Sequence, residues 1–212
     1  MKKKTVKQRK VRKMKKFRSQ IIAHWLSNTY APCKVADIGG GKGLLSYLLN
    51  MSEFNSTVID PLFQTLPVKY TDLNKKKIII PSDHSVNRIT KEFSIDDAKD
   101  FDLLIGLHAH GCNMWIIDAA VKYNIDFLIL PCCVIDEPIV KQPDINWRES
   151  LKEYAKERGL EVKEIQFNFM GKNIGLYTDR NLKRIGELSE NDFKNFIISP
   201  IRYESCLVGD GE

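Results

Sequence analysis

Apolar runs and helical periodicity alternate along the chain, and this alternation predicts the elements of an α/β fold. Continuous runs of β-branched and aliphatic residues predict strands at 33–38, 56–60, 101–107 and 125–131. Apolar positions three and four residues apart predict helices at 44–50, 113–123 and 146–159, the last ending at Gly159. Strands that are apolar along their whole length are typical of a parallel sheet covered by helices on both faces.

One more strand is expected between residues 61 and 100, and the pattern offers two candidates for it. Residues 61–77 are predicted to form a loop, because they are mostly polar and include two prolines. The apolar run "IIIP" at 78–81 predicts the third strand of the sheet, and "SVNRI" at 85–89 is the alternative.

The C-terminal third predicts an antiparallel hairpin followed by a polar extension. Residues 160–169 and 172–178 have strand character and are joined at Met170 and Gly171. The chain is polar from residue 179, and Ser189 is placed to cap a short helix. We therefore expect an α/β fold with a doubly wound, mostly parallel, seven-stranded sheet and an antiparallel terminal hairpin. The expected divisions are a helical arm at 1–31, the sheet domain at 32–180 and a partly mobile extension at 181–212.

The N-terminal arm combines an apolar stripe with a block of positive charge. Phe17, Ile21, Ile22, Trp25 and Leu26 recur at helical spacing, which predicts a helix that docks on the domain through this stripe. Of the 33 lysines and arginines, eleven lie within residues 1–25, which contain no acid, so the other 22 are outnumbered by the 27 acidic residues. A segment of this kind needs an anionic partner, and nucleic acid is the expected one. A solvated tail, a targeting signal or an artificial extension are the alternatives.

The cysteines and the apolar runs indicate the compartment. The five cysteines are odd in number and irregularly spaced, at Cys33, Cys112, Cys132, Cys133 and Cys206. Because the N-terminus also lacks the apolar segment of a signal peptide, we expect reduced thiols in a cytoplasmic protein. No apolar run is long enough to cross a bilayer, so no membrane association is expected.

The stretch "VADIGGGKGLLSYLL" joins the first predicted strand to the next helix and contains four glycines in five positions. A P-loop requires Ser or Thr after its lysine, but glycine follows Lys42. A dinucleotide-binding loop with the spacing G-x-G-x-x-G would need a glycine where Leu44 stands. What remains is an acid, one intervening residue and alternating glycines: Asp37, Gly39, Gly41 and Gly43.

This pattern resembles the first motif of class I S-adenosylmethionine (SAM) dependent methyltransferases. The resemblance implies a Rossmann-like methyltransferase fold with SAM as cofactor, and a role for Asp37 in organising the methionine ammonium, directly or through water. The glycines would leave room for the cofactor to lie flat against the backbone. Asp60 follows the second strand, 21 positions after Gly39, where an acid accepts hydrogen bonds from ribose hydroxyls.

A closer resemblance covers the catalytic region. The segments "LLIGLHAHGCNMW", "LILPCCVID" and "WRESLKEYAKERGLEV" resemble the eukaryotic tRNA uridine 2′-O-methyltransferase family. That resemblance implies methyl transfer to a tRNA ribose hydroxyl, with the basic arm contacting RNA and Leu107 in the cofactor pocket. The candidate bases at the predicted strand ends are His108, His110 and Asp136, and Cys132 is placed beside the acceptor.

Other interpretations remain open. A thiolate at Cys132 or Cys133 could add to a pyrimidine ring, as in RNA cytosine-5 methyltransferases, or the two cysteines could simply be packed in the core. A small-molecule or protein methyltransferase and a non-catalytic RNA-binding module are the alternatives to an RNA-modifying enzyme. We predict no metal site, because Cys112 does not complete a zinc ligand set with the two histidines.

Overall fold

The computed structural model describes residues 17–134, 137–138, 146–186 and 197–199. Four helices are present in this part of the chain: α1 at Arg18–Thr29, α2 at Leu44–Asn50, α3 at Asn113–Lys122 and α4 at Trp147–Glu157. A 3-10 helix covers Ile95–Asp100. The strands are β1 at Lys34–Ile38, β2 at Asn55–Ile59, β3 at Lys69–Thr71, β4 at Lys77–Ile79, β5 at Asn87–Ile89, β6 at Leu103–Leu107, β7 at Asp126–Leu130, β8 at Lys163–Phe167, β9 at Ile174–Tyr177 and β10 at Ile197–Ser199.

The main sheet has the order β10-β8-β9-β7-β6-β1-β2-β5. The five strands from β5 to β7 are mutually parallel, and β9 runs antiparallel to both β7 and β8. This arrangement confirms the predicted α/β class and its terminal hairpin. The short strand β10 adds an eighth, unpredicted member that pairs antiparallel with β8 and covers an otherwise open edge.

Helices cover both faces of the sheet. The apolar side chains of α1 and α2 share one core with Val35 and Leu103, whereas those of α3 and α4 share the other core with Ala36 and Leu104. Neighbouring residues of a strand thus serve opposite faces, as the strand period of two requires. The docking helix predicted for the arm is confirmed, since its whole apolar stripe is buried: Phe17, Ile21, Ile22, Trp25 and Leu26. Residues 1–16 lie outside the described chain.

The first candidate for the third strand, residues 78–81, was wrong, and the alternative at 85–89 contains the strand that joins the main sheet. Asn87–Ile89 (β5) pairs with β2 in the main sheet, whereas Lys77–Ile79 (β4) forms a separate hairpin with Lys69–Thr71 (β3), inside the stretch predicted to be a loop. Ile79 is 74% exposed. An edge strand buries few side chains, so apolar content did not identify which run takes the edge position. The helix predicted after Ser189 falls within residues 187–196, which lie outside the described chain.

None of the helices in the described ranges combines the length and the hydropathy that a bilayer crossing requires. The cysteines of these ranges, Cys33, Cys112, Cys132 and Cys133, are free thiols.

Candidate functional site

The chain order of the parallel strands reverses between β1 and β6. From β1 the chain continues to β2 and β5 on one side, and β6 and β7 lie on the other. Loops that leave the carboxyl ends of two such strands diverge and open a crevice, where α/β proteins bind their ligands. The predicted site residues within the described ranges all lie at or just beyond these strand ends, in the last residues of β1 and β6 or on the loops after β1, β2, β6 and β7: Asp37, Gly39, Gly41, Gly43, Asp60, Leu107, His108, His110 and Cys132.

The glycine loop has a backbone that side chains rarely permit. Gly39, Gly41 and Gly43 have φ angles of +64°, +54° and +76°, in the left-handed region that favours glycine. A Cβ on Gly39 would also lie 3.1 Å from the Cβ of Ala109, beyond the end of β6. The amide of Gly39 donates to the carbonyl of Ile59 at 2.8 Å, which fixes the loop to the end of β2. The loop is therefore a bare strip of main chain at the floor of the crevice.

Asp37 lies beneath this loop and is only 1% exposed. Its Oδ2 accepts a hydrogen bond from Ser46 Oγ at 3.0 Å, and Ser46 Oγ accepts one from Ser56 Oγ at 3.0 Å. Burial raises the pKa of Asp37 to about 6, although the Ser46 hydrogen bond and the charge of Arg18 act in the opposite direction. The ionised carboxylate is therefore a buried charge beside the crevice, and its surroundings disfavour it relative to the protonated form. The two serines were not predicted; a polar residue in the apolar start of α2 was the signal for Ser46.

Asp60 is held rigidly at the end of β2. Its Oδ2 accepts from the amide of Gly41 at 2.9 Å and its Oδ1 accepts from the amide of Leu62 at 2.8 Å. Each carboxylate oxygen can accept two hydrogen bonds, so both retain a lone pair for a ligand. The carboxylate is oriented by the glycine loop on one side and by the turn after β2 on the other.

Two arginines near the loop were not predicted as site residues. Arg88, on β5, donates from Nη2 to the carbonyl of Gly41 at 2.8 Å. Arg18 opens α1, and its half-buried guanidinium lies within electrostatic range of Asp37 and of the Cys132 thiol. Burial lowers the pKa of Arg18, and these two groups raise it. In the sequence Arg18 is the last cation of the basic arm, and nothing distinguished it from the others.

His108 begins the loop after β6 in a left-handed conformation, with φ of +60°. Such a backbone is uncommon for a residue other than glycine, and residues of this kind concentrate at functional sites. Its amide donates to the carbonyl of Leu130 at 3.2 Å, which ties the ends of β6 and β7 together. Leu107, the last residue of β6, is buried. The side chain of His108 is half-buried beside the crevice.

The structure brings His110 to the two adjacent cysteines. Cys132 Sγ lies 3.5 Å from His110 Nε2, Cys133 Sγ lies 3.4 Å from His110 Nδ1, and the two sulfurs are 3.5 Å apart. Burial and the neighbouring Cys133 raise the pKa of the Cys132 thiol. The cysteines are half-buried, and they are not part of the apolar core.

Asp136, predicted as a candidate base, lies outside the described residues, but the structure describes its neighbour Glu137. The carboxylate of Glu137 accepts hydrogen bonds from the Asn113 amide at 3.0 Å, the Met114 amide at 3.3 Å and the Asn113 side chain. It therefore caps the start of α3, where Cys112 supplies no side-chain cap. Glu137 was not predicted, since its partner lies 24 residues away.

Comparison with known proteins gives sequence relatives that match about half of the chain. A protein of Caenorhabditis elegans described as a probable tRNA (uracil-O(2)-)-methyltransferase is 35% identical over 105 residues, which are 48% of this chain and 17% of that protein. A Drosophila melanogaster protein with the same description is 29% identical over 119 residues, 53% of this chain and 20% of that protein. The matched region spans about a fifth of the length of these relatives.

No family model matches the chain. Among solved structures, magnesium protoporphyrin IX methyltransferase of Synechocystis with bound SAM covers 81% of this chain and 79% of its own, at 10% identity and a TM-score of 0.45.

We expect Gly40→Ala to destabilise the protein. The new Cβ would lie 2.6 Å from both Cγ and Oδ2 of Asp37, a clash with a side chain that cannot move into solvent. Overpacking of this kind costs about 1–3 kcal/mol, measurable as a lower urea midpoint. Gly186→Ala is the matched control, because its Cβ would meet only an ordinary 3.6 Å contact. Equal losses in both variants would contradict the close packing.

We expect Asp37→Asn to stabilise the protein at pH 7.5, by up to about 3 kcal/mol for a shift of about two pKa units. The pKa of Asp37 is about 6 in the folded state, above its value of about 4 in an unfolded chain. Wild-type stability therefore rises as the pH falls through 6 towards 4, because the folded state takes up a proton first. The advantage of the variant should shrink over that range in urea titrations.

Ser46→Ala provides the companion test of this charge. It removes a hydrogen bond that favours the ionised form of Asp37, so the pH-dependent rise in stability should begin at higher pH. A stability difference between wild type and Asp37→Asn that stays constant from pH 4 to pH 7.5 would show that the buried charge is not as described.

Proposed function

We propose that this chain is a SAM-dependent methyltransferase that methylates the 2′-hydroxyl of a uridine ribose in tRNA. The observation that supports it most strongly is the glycine loop between two oriented carboxylates, Asp37 and Asp60, at the point where strand order reverses. The tRNA (uracil-O(2)-)-methyltransferase description of the sequence relatives supports the acceptor.

The residues of the crevice fit SAM in three respects. Asp60 keeps a lone pair on each carboxylate oxygen for the two ribose hydroxyls. The buried charge of Asp37 favours a cation, such as the methionine ammonium, at the adjacent loop. Arg18 lies at the same end and provides a positive charge for the methionine carboxylate. Gly41 leaves space beside the loop, since a Cβ there would meet only Gln64 Nε2 at 3.8 Å.

The acceptor side consists of residues after β6 and β7. SAM supplies an electrophilic methyl group on its sulfonium. His108 is the proposed base: it would take the proton of the 2′-hydroxyl as that oxygen bonds to the methyl carbon and the bond from this carbon to the sulfonium sulfur breaks. His110 and Cys132 form the adjoining wall of the acceptor pocket. Positioning of the acceptor supplies most of the acceleration, and a base adds about 10²–10⁴-fold.

A cysteine nucleophile is less well supported than a ribose acceptor. Attack on a pyrimidine ring requires a thiolate, but the pKa of the Cys132 thiol is raised. Reactive cysteines have lowered pKa values and lie in electropositive surroundings. This observation favours oxygen as the acceptor atom over the base carbon of the cytosine-5 reaction.

Incubation of the full chain with labelled SAM and uridine-containing tRNA should yield 2′-O-methyluridine after digestion to nucleosides. Label on a base carbon would support the cysteine mechanism instead, and label that enters only small molecules or proteins would remove RNA as the substrate. Asp60→Ala should reduce methylation through weaker SAM binding, because the ribose hydroxyls lose their acceptor.

His108→Asn isolates the role of the proposed base. Asparagine tolerates the left-handed backbone at this position, so the loop keeps its shape while the imidazole is lost. The expected result is a decrease in kcat of about 10²–10⁴-fold with unchanged affinity for SAM in calorimetry. Full activity in this variant would show that another group accepts the proton.

Deletion of residues 1–16, which contain ten of the lysines and arginines, should weaken tRNA binding and flatten its dependence on salt. The reason is that each phosphate contact of a cation releases a counterion. SAM affinity should stay nearly unchanged, since Asp37 and Asp60 lie outside the deleted segment. A full-length arm with its lysines replaced by glutamine separates charge from length. Unchanged tRNA affinity in both variants would remove the arm as an RNA contact.

A further inference from the structure

The cluster of His110, Cys132 and Cys133 has the size of a metal site. One ligand atom from each residue lies within 4.8 Å of the others, and it is the one group of this kind that the described ranges contain. The three residues come from two neighbouring strand ends, the loop after β6 and the loop after β7. The hydrogen bond from His108 to Leu130 holds those ends together. The grouping is thus fixed by the sheet.

The three side chains are close enough to share one tetrahedral zinc ion. Zinc binds thiolate sulfur at about 2.3 Å and imidazole nitrogen at about 2.0–2.1 Å, so ligand atoms in its shell are separated by about 3.5–3.8 Å. The sulfurs of Cys132 and Cys133 are 3.5 Å apart, and the sulfur–nitrogen distances are 3.4 and 3.5 Å. The two sulfurs contact different nitrogens of His110. An ion would therefore require this imidazole to turn, and its exposed position allows that.

Two thiolates with one imidazole form a soft ligand set, which selects zinc over magnesium or calcium. Cys112 is only two residues from His110, but it packs against the apolar core under α3 and does not join the cluster. Three protein ligands leave one position of the tetrahedron open for water or another oxygen.

We propose that His110, Cys132 and Cys133 bind one zinc ion, with its fourth coordination position open to solvent or to an acceptor oxygen. The proposal differs from the sequence prediction, which weighed Cys112 and the two histidines and found no metal site. Cys132 and Cys133 follow β7, whereas His110 follows β6. The cysteines therefore lie next to His110 only in the folded sheet. The site does not depend on the proposed methyl transfer, because its ligands are defined by their own geometry.

Metal analysis of the purified full chain, after removal of loosely bound ions on a desalting column, tests the site directly. We expect one zinc per chain by mass spectrometry. Replacement by cobalt should give the intense near-ultraviolet band of thiolate-to-cobalt charge transfer, together with visible bands of a tetrahedral ion. Chelation should expose two further thiols to Ellman's reagent. None of these readouts requires methyltransferase activity.

Single variants assign the ligands. His110→Ala, Cys132→Ser and Cys133→Ser should each weaken zinc binding by more than the 10–100-fold expected for loss of a supporting partner. Cys33→Ser is the matched control, since this free cysteine precedes β1 at the opposite end of the sheet. Cys112→Ser should also retain the metal. Circular dichroism and SAM calorimetry verify that each variant is folded.

Three results would overturn the proposal. The first is an apo protein that fails to bind added zinc more tightly than micromolar in competition with an indicator dye. The second is retention of stoichiometric zinc by the double variant of Cys132 and Cys133. The third is a cobalt spectrum without thiolate charge transfer. A disulfide between Cys132 and Cys133 would also contradict the proposal, because the two cysteines would then be a redox pair. It would appear as the loss of two titratable thiols. Dithiothreitol would restore these thiols, and chelation would not.

Discussion

Close packing of the glycine loop against Asp37 is the constraint on which the rest of the crevice depends. The loop passes so near to this carboxylate that a methyl group on Gly40 would overlap it. Asp37 is therefore shut away from water, and the hydroxyl and backbone amide of Ser46, with the charges of Arg18 and Arg88, offset part of the cost of its charge. The geometry that places bare backbone at the floor of the crevice is the same geometry that creates a buried negative charge there. The buried charge lowers the free energy of unfolding, and a loss of stability of this kind is common at binding sites.

The two sides of the crevice are built by different means. On the side of β1 and β2, strand ends and hydrogen bonds hold each carboxylate in place, and Asp60 is oriented by the amides of Gly41 and Leu62. On the side of β6 and β7, His108, His110 and the two cysteines follow neighbouring parallel strands and lie close together because those strands end at the same level. Every group with a proposed role is thus positioned by the sheet or by an element packed on it, which limits its motion.

The sequence pattern was sufficient to predict candidate site residues that directly follow a single strand. The glycine loop and Asp60 follow their strands at fixed spacing, so their position could be predicted from the sequence. Arg18 and Glu137 act on partners far along the chain, and no short-range pattern marks such pairs. The third strand was misassigned for a related reason: β5 takes its place at the edge through pairing with β2, and Ile79 remains exposed although it is apolar.

The close approach of Gly39 to Ala109 links two segments of the candidate site. A Cβ on Gly39 would lie 3.1 Å from the Cβ of Ala109, so the glycine loop and the segment that carries the histidines leave no room for a side chain between them. Any small outward shift of the first is transmitted to the second by direct steric repulsion. The shape of the glycine loop and the shape of the segment after β6 are therefore not independent of each other.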